Sequence, residues 1–107
     1  MVIVGFDFYK GGFRAVNRTV SGTYTGLVEH TVGTPPSSSY EAYFHSAGME
    51  RMVLDVRGVD LGTSATSWLA GPRLMRTIGA VYTPQQPNNY FLNISIPAWF
   101  DLIIYFD

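Results

Sequence analysis

Glu41 and His45 stand four residues apart, the spacing that puts two side chains on one helix face and gives the minimum geometry for two ligands of a metal. Two ligands are not a site. The other histidine, His30, lies in a separate strand-like stretch, and no His-Glu-x-x-His occurs, so the pair reads as a solvated helix face and no metal is expected. Nucleophilic catalysis needs a positioned hydroxyl beside a base. Ser37-Ser38-Ser39 supplies hydroxyls without a Gly-x-Ser-x-Gly elbow and suits a helix cap better. Gly11-Gly12 lacks the further Gly or the Gly-Lys-Ser/Thr of a phosphate cradle and reads as a turn. Asp55 and Arg57, two apart on a strand, face one side, where they would pair with each other or with Arg76 in a partly buried network rather than do chemistry. With no cysteine in the chain, disulfides, zinc ribbons and thiol nucleophiles are excluded, and no cofactor is expected.

The remaining place for function is positional. In open α/β folds ligands bind at the carboxyl edge of the parallel strands. From the first strand that edge would offer Asp7, Tyr9 and Lys10, with Phe6 nearby, and these four are the candidate substrate-binding residues. The competing reading is that they are turn residues that pack or solvate.

The elements that must position them follow from periodicity. Val2 to Phe6 is short and apolar on both faces, as a covered parallel strand would be, and Lys10-Gly11-Gly12 breaks it. Phe13 to Val16 and Thr19 to Val32 are rich in β-formers punctuated by Gly22, Gly26 and Gly33, which predicts an antiparallel excursion. Ser38-Ser39-Tyr40-Glu41 offers a capping box for a helix that ends at Gly48, with Tyr40, Tyr43, Phe44 and Ala47 on its apolar face. Met52 to Arg57 is the next strand. Thr63-Ser64 caps a second short helix carrying Ala65, Trp68 and Leu69, stopped by Gly71-Pro72. Strands are predicted at Ile78 to Tyr82, Tyr90 to Ile96 and Leu102 to Phe106, with a polar loop over residues 83–89 and a turn over Pro97 to Phe100. The order is that of an α/β chain: a mixed sheet with central parallel strands, a few short helices and an antiparallel excursion.

Composition narrows the partners. The chain has 107 residues, of which 47% are hydrophobic and only 14% charged, well below the ~25% charged share of an ordinary soluble domain, so apolar surface is expected to await a partner. Net charge is -1 and the seven Lys and Arg are scattered singly, which excludes the basic stripe that nucleic acid or an anionic membrane would need. No apolar run approaches the ~18 residues of a membrane span, and Met1-Val2-Ile3-Val4 has no cationic flank, so a soluble cytoplasmic chain is expected. The sequence begins at one apolar strand-like run, Val2-Ile3-Val4, and stops inside another, Leu102 to Phe106. Such runs need a covering layer. The expectation is a single partial domain over 1–107, part of a larger three-layer fold, whose partner is a missing N-terminal part or another chain.

Several blocks, in order, carry a resemblance. They are Gly5-Phe6-Asp7-Phe8-Tyr9-Lys10-Gly11-Gly12-Phe13-Arg14-Ala15, Ser39-Tyr40-Glu41, Leu54-Asp55-Val56-Arg57 and Trp68-Leu69-Ala70-Gly71-Pro72. Arg76 to Tyr82, Asn89-Tyr90-Phe91 and Phe100 to Tyr105 continue the series. Together they resemble the C-terminal part of the erythromycin esterase family, over nearly the whole chain. The resemblance implies a hydrolase for small-molecule esters or macrolide lactones, in which a histidine general base activates water with glutamate and arginine support. In that family those histidines and the glutamate lie upstream of the Gly-Phe-Asp-Phe-Tyr block, so no catalytic role falls on His30, His45 or any other residue here. The expected function is that of a C-terminal piece of such a hydrolase, inactive alone. The alternative is a free-standing, non-catalytic binding module that pairs through exposed strands.

Overall fold

The computed structural model of the protein describes residues 1–60 and 62–107. Strand β1 (Val4–Phe8) turns at Tyr9-Lys10 into β2 (Gly11–Arg18), which pairs antiparallel with β3 (Tyr24–Val32). Helix α1 (Tyr40–Ser46) and β4 (Arg51–Asp55) follow, then α2 (Ser64–Ala70), β5 (Arg73–Arg76) and the two-residue β6 (Val81–Tyr82). A 3-10 turn at Pro87–Tyr90 precedes β7 (Phe91–Ile94), the one-turn helix α3 (Ile96–Trp99) and β8 (Leu102–Phe106).

The described residues form three small sheets. In the first, β8 lies between β1, to which it runs parallel, and β4, to which it runs antiparallel. In the second, β2 lies between β3 and a parallel contact with β6; the third is the antiparallel pair β5–β7. The mixed α/β architecture is the one the sequence predicts, with the parallel pair formed by the first and last strands and the antiparallel excursion by β2 and β3. Register fixes the faces of the first sheet. Gly5 and Asp7 lie beside Ile103 and Tyr105, which lie beside Leu54 and Met52, and this inner face packs on α1 and the main core. Val4, Phe6, Ile104, Val53 and Phe106 alternate onto the outer face.

Local chemistry explains the helices. Ser39 caps α1, its Oγ accepting from the Ala42 N–H at 3.1 Å, and Thr63 caps α2 by accepting from Thr66 N–H at 3.2 Å. Tyr40 and Phe44 are buried against Tyr105, Met75 and Ile94. A smaller cluster of Ala15, Val32 and Tyr82 lies against the second sheet and is shared with Phe8 and Phe13.

The differences from expectation are local. The capping box does not close, because the cap is Ser39 and not Ser38, which leaves Glu41 one position short of the box, and its carboxyl accepts from Arg76 N–H in the core. The strand predicted at Ile78 to Tyr82 shrinks to Val81–Tyr82, and Arg73–Arg76, flanked by arginines and short of β-branched residues, becomes a strand because β7 pairs with it along its whole length. β1 begins at Val4 and sits at a sheet edge with one face open, since β8 takes the central position.

One glycine is a tight constraint. Gly71 ends α2 at φ 62° and ψ −135°, and a Cβ there would stand 2.5 Å from the Tyr40 hydroxyl oxygen and 2.7 Å from Arg73 N. That hydroxyl donates to Leu69 O at 2.8 Å, holding α1 to the end of α2. Gly71→Ala is therefore expected to lower the unfolding free energy by about 2 to 4 kcal/mol, from backbone strain and overpacking together. Urea unfolding followed by circular dichroism checks it; a loss under about 0.5 kcal/mol, the size of an ordinary surface substitution, would refute the constraint.

Candidate functional site

Three ionisable side chains meet under the carboxyl edge of β1: Asp7, Glu41 and Arg76, all almost completely buried. Alternation along β1 puts Asp7 on the same inner face as Gly5, over which Phe100 and Ile103 pack so closely that their atoms would lie 2.8 Å from any Cβ at that position. α1 delivers Glu41 on the stripe shared with Tyr40 and Phe44, and β5, which packs beside α1, delivers Arg76. The backbone N–H of Arg76 donates to Glu41 Oε1.

The Arg76 guanidinium does not fork onto either carboxylate. Its Nη1 donates to Tyr9 O at 2.8 Å and reaches Phe8 O at 3.4 Å, and its Nη2 donates to Gly33 O at 2.9 Å. The rings of Phe8 and Phe91 each lie 5.1 Å from its carbon. It thereby ties the end of β1 to the end of β3. Burial lowers its proton affinity while Glu41 and Asp7 raise it, and an arginine in such a setting stays charged.

Asp7 is driven the other way. Burial, and next the negative charge and hydrogen bond of Glu41, push its carboxyl up to about 10, against a lesser pull from the Phe8 N–H and Arg76. Asp7 Oδ1 accepts from Phe8 N–H at 2.9 Å. Asp7 Oδ2 and Glu41 Oε2 are buried without an N–H or O–H partner, a shortage that one proton shared between the two carboxyls relieves. The raised Asp7 carboxyl therefore keeps its proton at neutral pH, beside the Arg76 cation.

Above this anchor lies the rim. Tyr9 is nearly buried and stacks flat on the His45 imidazole, with ring centroids 3.9 Å apart and planes 2° apart. His45 Nδ1 lies 2.8 Å from Asp107 Oδ1, and the Tyr105 hydroxyl donates to that same oxygen at 2.9 Å. The hydrogen bond from His45 holds the Asp107 carboxyl below its usual range, and Lys10 adds to the pull. Lys10 itself is exposed.

The four residues expected at this edge therefore separate. Asp7 and Tyr9 belong to the inner side, Lys10 to the exposed rim, and Phe6 to the outer face of the sheet, where it is 71% exposed. Alternation along β1 makes that split unavoidable. Glu41 is not on a solvated face, and Asp55–Arg57 forms a solvent-exposed fork, with Nε to Oδ1 at 3.0 Å and Nη2 to Oδ2 at 2.8 Å, that holds the Asp55 carboxyl down at about 2 and does not include Arg76. Asp107 as a partner of His45 carries no local signal, being 62 positions away. Glu41 does carry one: it directly follows Tyr40 and precedes Phe44 by three, which places it on the apolar stripe.

Among the described residues no three His, Asp or Glu side chains converge as a metal site. An apolar cleft of about 250 Å³ opens between α1, β4 and α2, lined by Tyr43, Phe44, Met52, Leu54, Trp68 and Leu69. It suits an apolar group. No described helix is long and apolar enough to cross a membrane.

Comparison with known proteins bears on this arrangement. The family model described as erythromycin esterase matches residues 1–107. No curated protein matches the chain. A protein from Bacillus cereus, known from its crystal structure, has the same fold over 96% of this chain, with a TM-score of 0.68 at 19% identity. The chain spans 23% of the length of that structure.

Proposed function

The chain belongs to the erythromycin esterase family, and we propose on that premise that it is the C-terminal part of a hydrolase that opens small-molecule esters or macrolide lactones, with the main water-activating groups on other polypeptide. The observation that carries this reading is the outer face of the β1–β8–β4 sheet. Phe6 is 71%, Val53 66% and Phe106 49% exposed there, and a hollow of about 360 Å³ lies at the β4–β8 side, lined by Val53, Ile104 and Phe106 among others. Contiguous apolar side chains on a sheet face are an unfilled layer contact, worth about 25 cal/mol for each Å² that a covering layer would remove from water. The coverage of only 23% of a structure of the same fold fits a layer supplied from elsewhere, either the rest of a longer polypeptide or another chain.

In this reading Phe6, Asp7, Tyr9 and Lys10 form part of the wall of the substrate cleft. Lys10 reaches it from the rim, Tyr9 and Asp7 set the edge from the inner side, and Phe6 meets the covering layer. The isolated chain is expected to leave a macrolide lactone and an unactivated alkyl ester such as ethyl butyrate unchanged, with no loss above buffer by chromatography. Turnover of either overturns the assignment of the chemistry to other polypeptide. A sedimentation profile of a stable dimer that buries Phe6 and Val53 would favour the self-pairing module instead.

A further inference from the structure

We infer that the cleft between the ends of β3 and β5 and the 3-10 turn at Pro87–Tyr90 binds a short-chain monocarboxylate such as propionate, gripped by the Arg76 guanidinium. Such an anion needs a fixed cation with unused hydrogen-bond donors, no competing negative charge in the wall, and apolar carbon for its alkyl end.

The cleft has a volume of about 120 Å³, room for about four water molecules at ~30 Å³ each. Among its described lining residues Arg76 carries the only formal charge, and neither Asp7 nor Glu41 is one of them. Arg76 is only 6% exposed, so its charge is little screened by water. The N–H groups of its guanidinium outnumber their acceptors. Nη1 is directed at the carbonyls of Tyr9 and Phe8, and Nη2 gives one hydrogen to Gly33 O. Nε–H and the second Nη2 hydrogen have no acceptor among the described residues. Nε and Nη2 share the edge of a guanidinium that a carboxylate can grip with two parallel bonds.

The surroundings hold that group in place and narrow the ligand. Gly33 and Phe91 both line the cleft, the first by accepting from Nη2 at 2.9 Å and the second with its ring 5.1 Å from the guanidinium carbon. Thr34 and Asn88, both exposed, add a hydroxyl and an amide as neutral donors. Ile78, Pro87 and Phe91 supply the apolar carbon. Sulfate or phosphate would set charged oxygens against that carbon, and a long acyl chain exceeds the volume. This site is independent of the hydrolase reading, because a macrolide is far too large to enter it.

The test titrates the full 107-residue chain at pH 7 with sodium propionate at constant ionic strength, with sodium chloride, propionamide and sodium octanoate as comparisons, and follows nitrogen-15 spectra. Propionate is expected to shift the Arg76 Nε–H signal with half-saturation at about 1 to 10 mM, an affinity suited to so small a ligand. Propionamide and octanoate should bind about tenfold more weakly or not at all, and chloride should leave the signal in place. Asn88→Asp places a negative charge in the lining at an exposed position and should weaken propionate about tenfold while sparing the fold. Arg76→Lys keeps the charge without the fork and should weaken it similarly; if that variant unfolds, Asn88→Asp and the ligand series decide. No saturable shift at Arg76 up to about 100 mM, equal binding of propionamide, or an Asn88→Asp affinity equal to the parent overturns the site. Opening of a macrolide by the isolated chain would sink the proposed function and leave this site standing.

Discussion

Arg76→Met is expected to lower the unfolding free energy by about 3 to 5 kcal/mol, the range seen when one member of a buried charged network is removed. Two losses combine. The carbonyls of Tyr9 and Gly33 lose their donor, and the Glu41 carboxylate is left buried beside Asp7 without a neighbouring cation. Met fills much of the space between Phe8 and Phe91, so the change reports charge and hydrogen bonding more than a cavity. Arg76→Lys is expected to recover only part of the loss, because one ammonium on a flexible stem cannot reach the ends of both β1 and β3 with the geometry of the guanidinium. Urea unfolding of the three proteins measures the difference. A loss below about 1 kcal/mol for Arg76→Met would show that the guanidinium does not hold the two strand ends together. Since small domains are stable by only about 5 to 15 kcal/mol, the larger figure would bring the chain close to unfolding at 37 °C.

Asp7→Asn is expected to make the protein more stable at alkaline pH and to flatten its dependence on pH. The sign follows from the direction of the shift. Asp7 ordinarily titrates at 3.8, but in the fold its carboxyl is pushed up to about 10. Between these values the folded chain holds a proton that the unfolded chain does not. The stability contributed by this group is therefore fully present below pH 3.8 and is lost as pH rises towards 10, by up to about 1.4 kcal/mol for each pH unit. Asn keeps the arrangement without titrating: its carbonyl accepts from Phe8 N–H as Asp7 Oδ1 does, and its amide donates to Glu41 where the shared proton did. Urea midpoints at pH 5, 7 and 9 check this, with the parent falling and the variant nearly level. Equal slopes for the two proteins would show that no proton is shared between Asp7 and Glu41.

Both expectations concern residues whose surroundings are long-range. Arg76 is 35 positions from Glu41 and 67 from Tyr9, so nothing in its own neighbourhood announces that it caps the ends of two strands. Asp7 has the opposite history. Its place at the carboxyl edge of the first strand was legible, but its burial was not, because Val2 to Phe6 is apolar on both faces and does not say which of them the core covers. Glu41 stood on the apolar stripe of α1 and was still read as solvated, since a charged residue is ordinarily assigned to water unless a partner is in view.

What the amino-acid order determined by itself was the set of elements whose signals are local. The cap at Thr63, the Gly71 stop, the hairpin β2–β3 and the final strand Leu102–Phe106 follow from hydroxyl caps, glycine and β-branched alternation over a few residues. Tertiary structure alone decided the rest. Strand β5 exists because β7 pairs with it, β1 has an open outer face because β8 takes the centre, and the Asp7–Glu41–Arg76 anchor and the His45–Asp107 pair assemble from positions far apart in the chain. The physical reason is that caps and periodicity act within one or two turns of backbone. Which carboxyl meets which cation, and which carboxyl keeps its proton, depends on the water excluded when separate segments close over them.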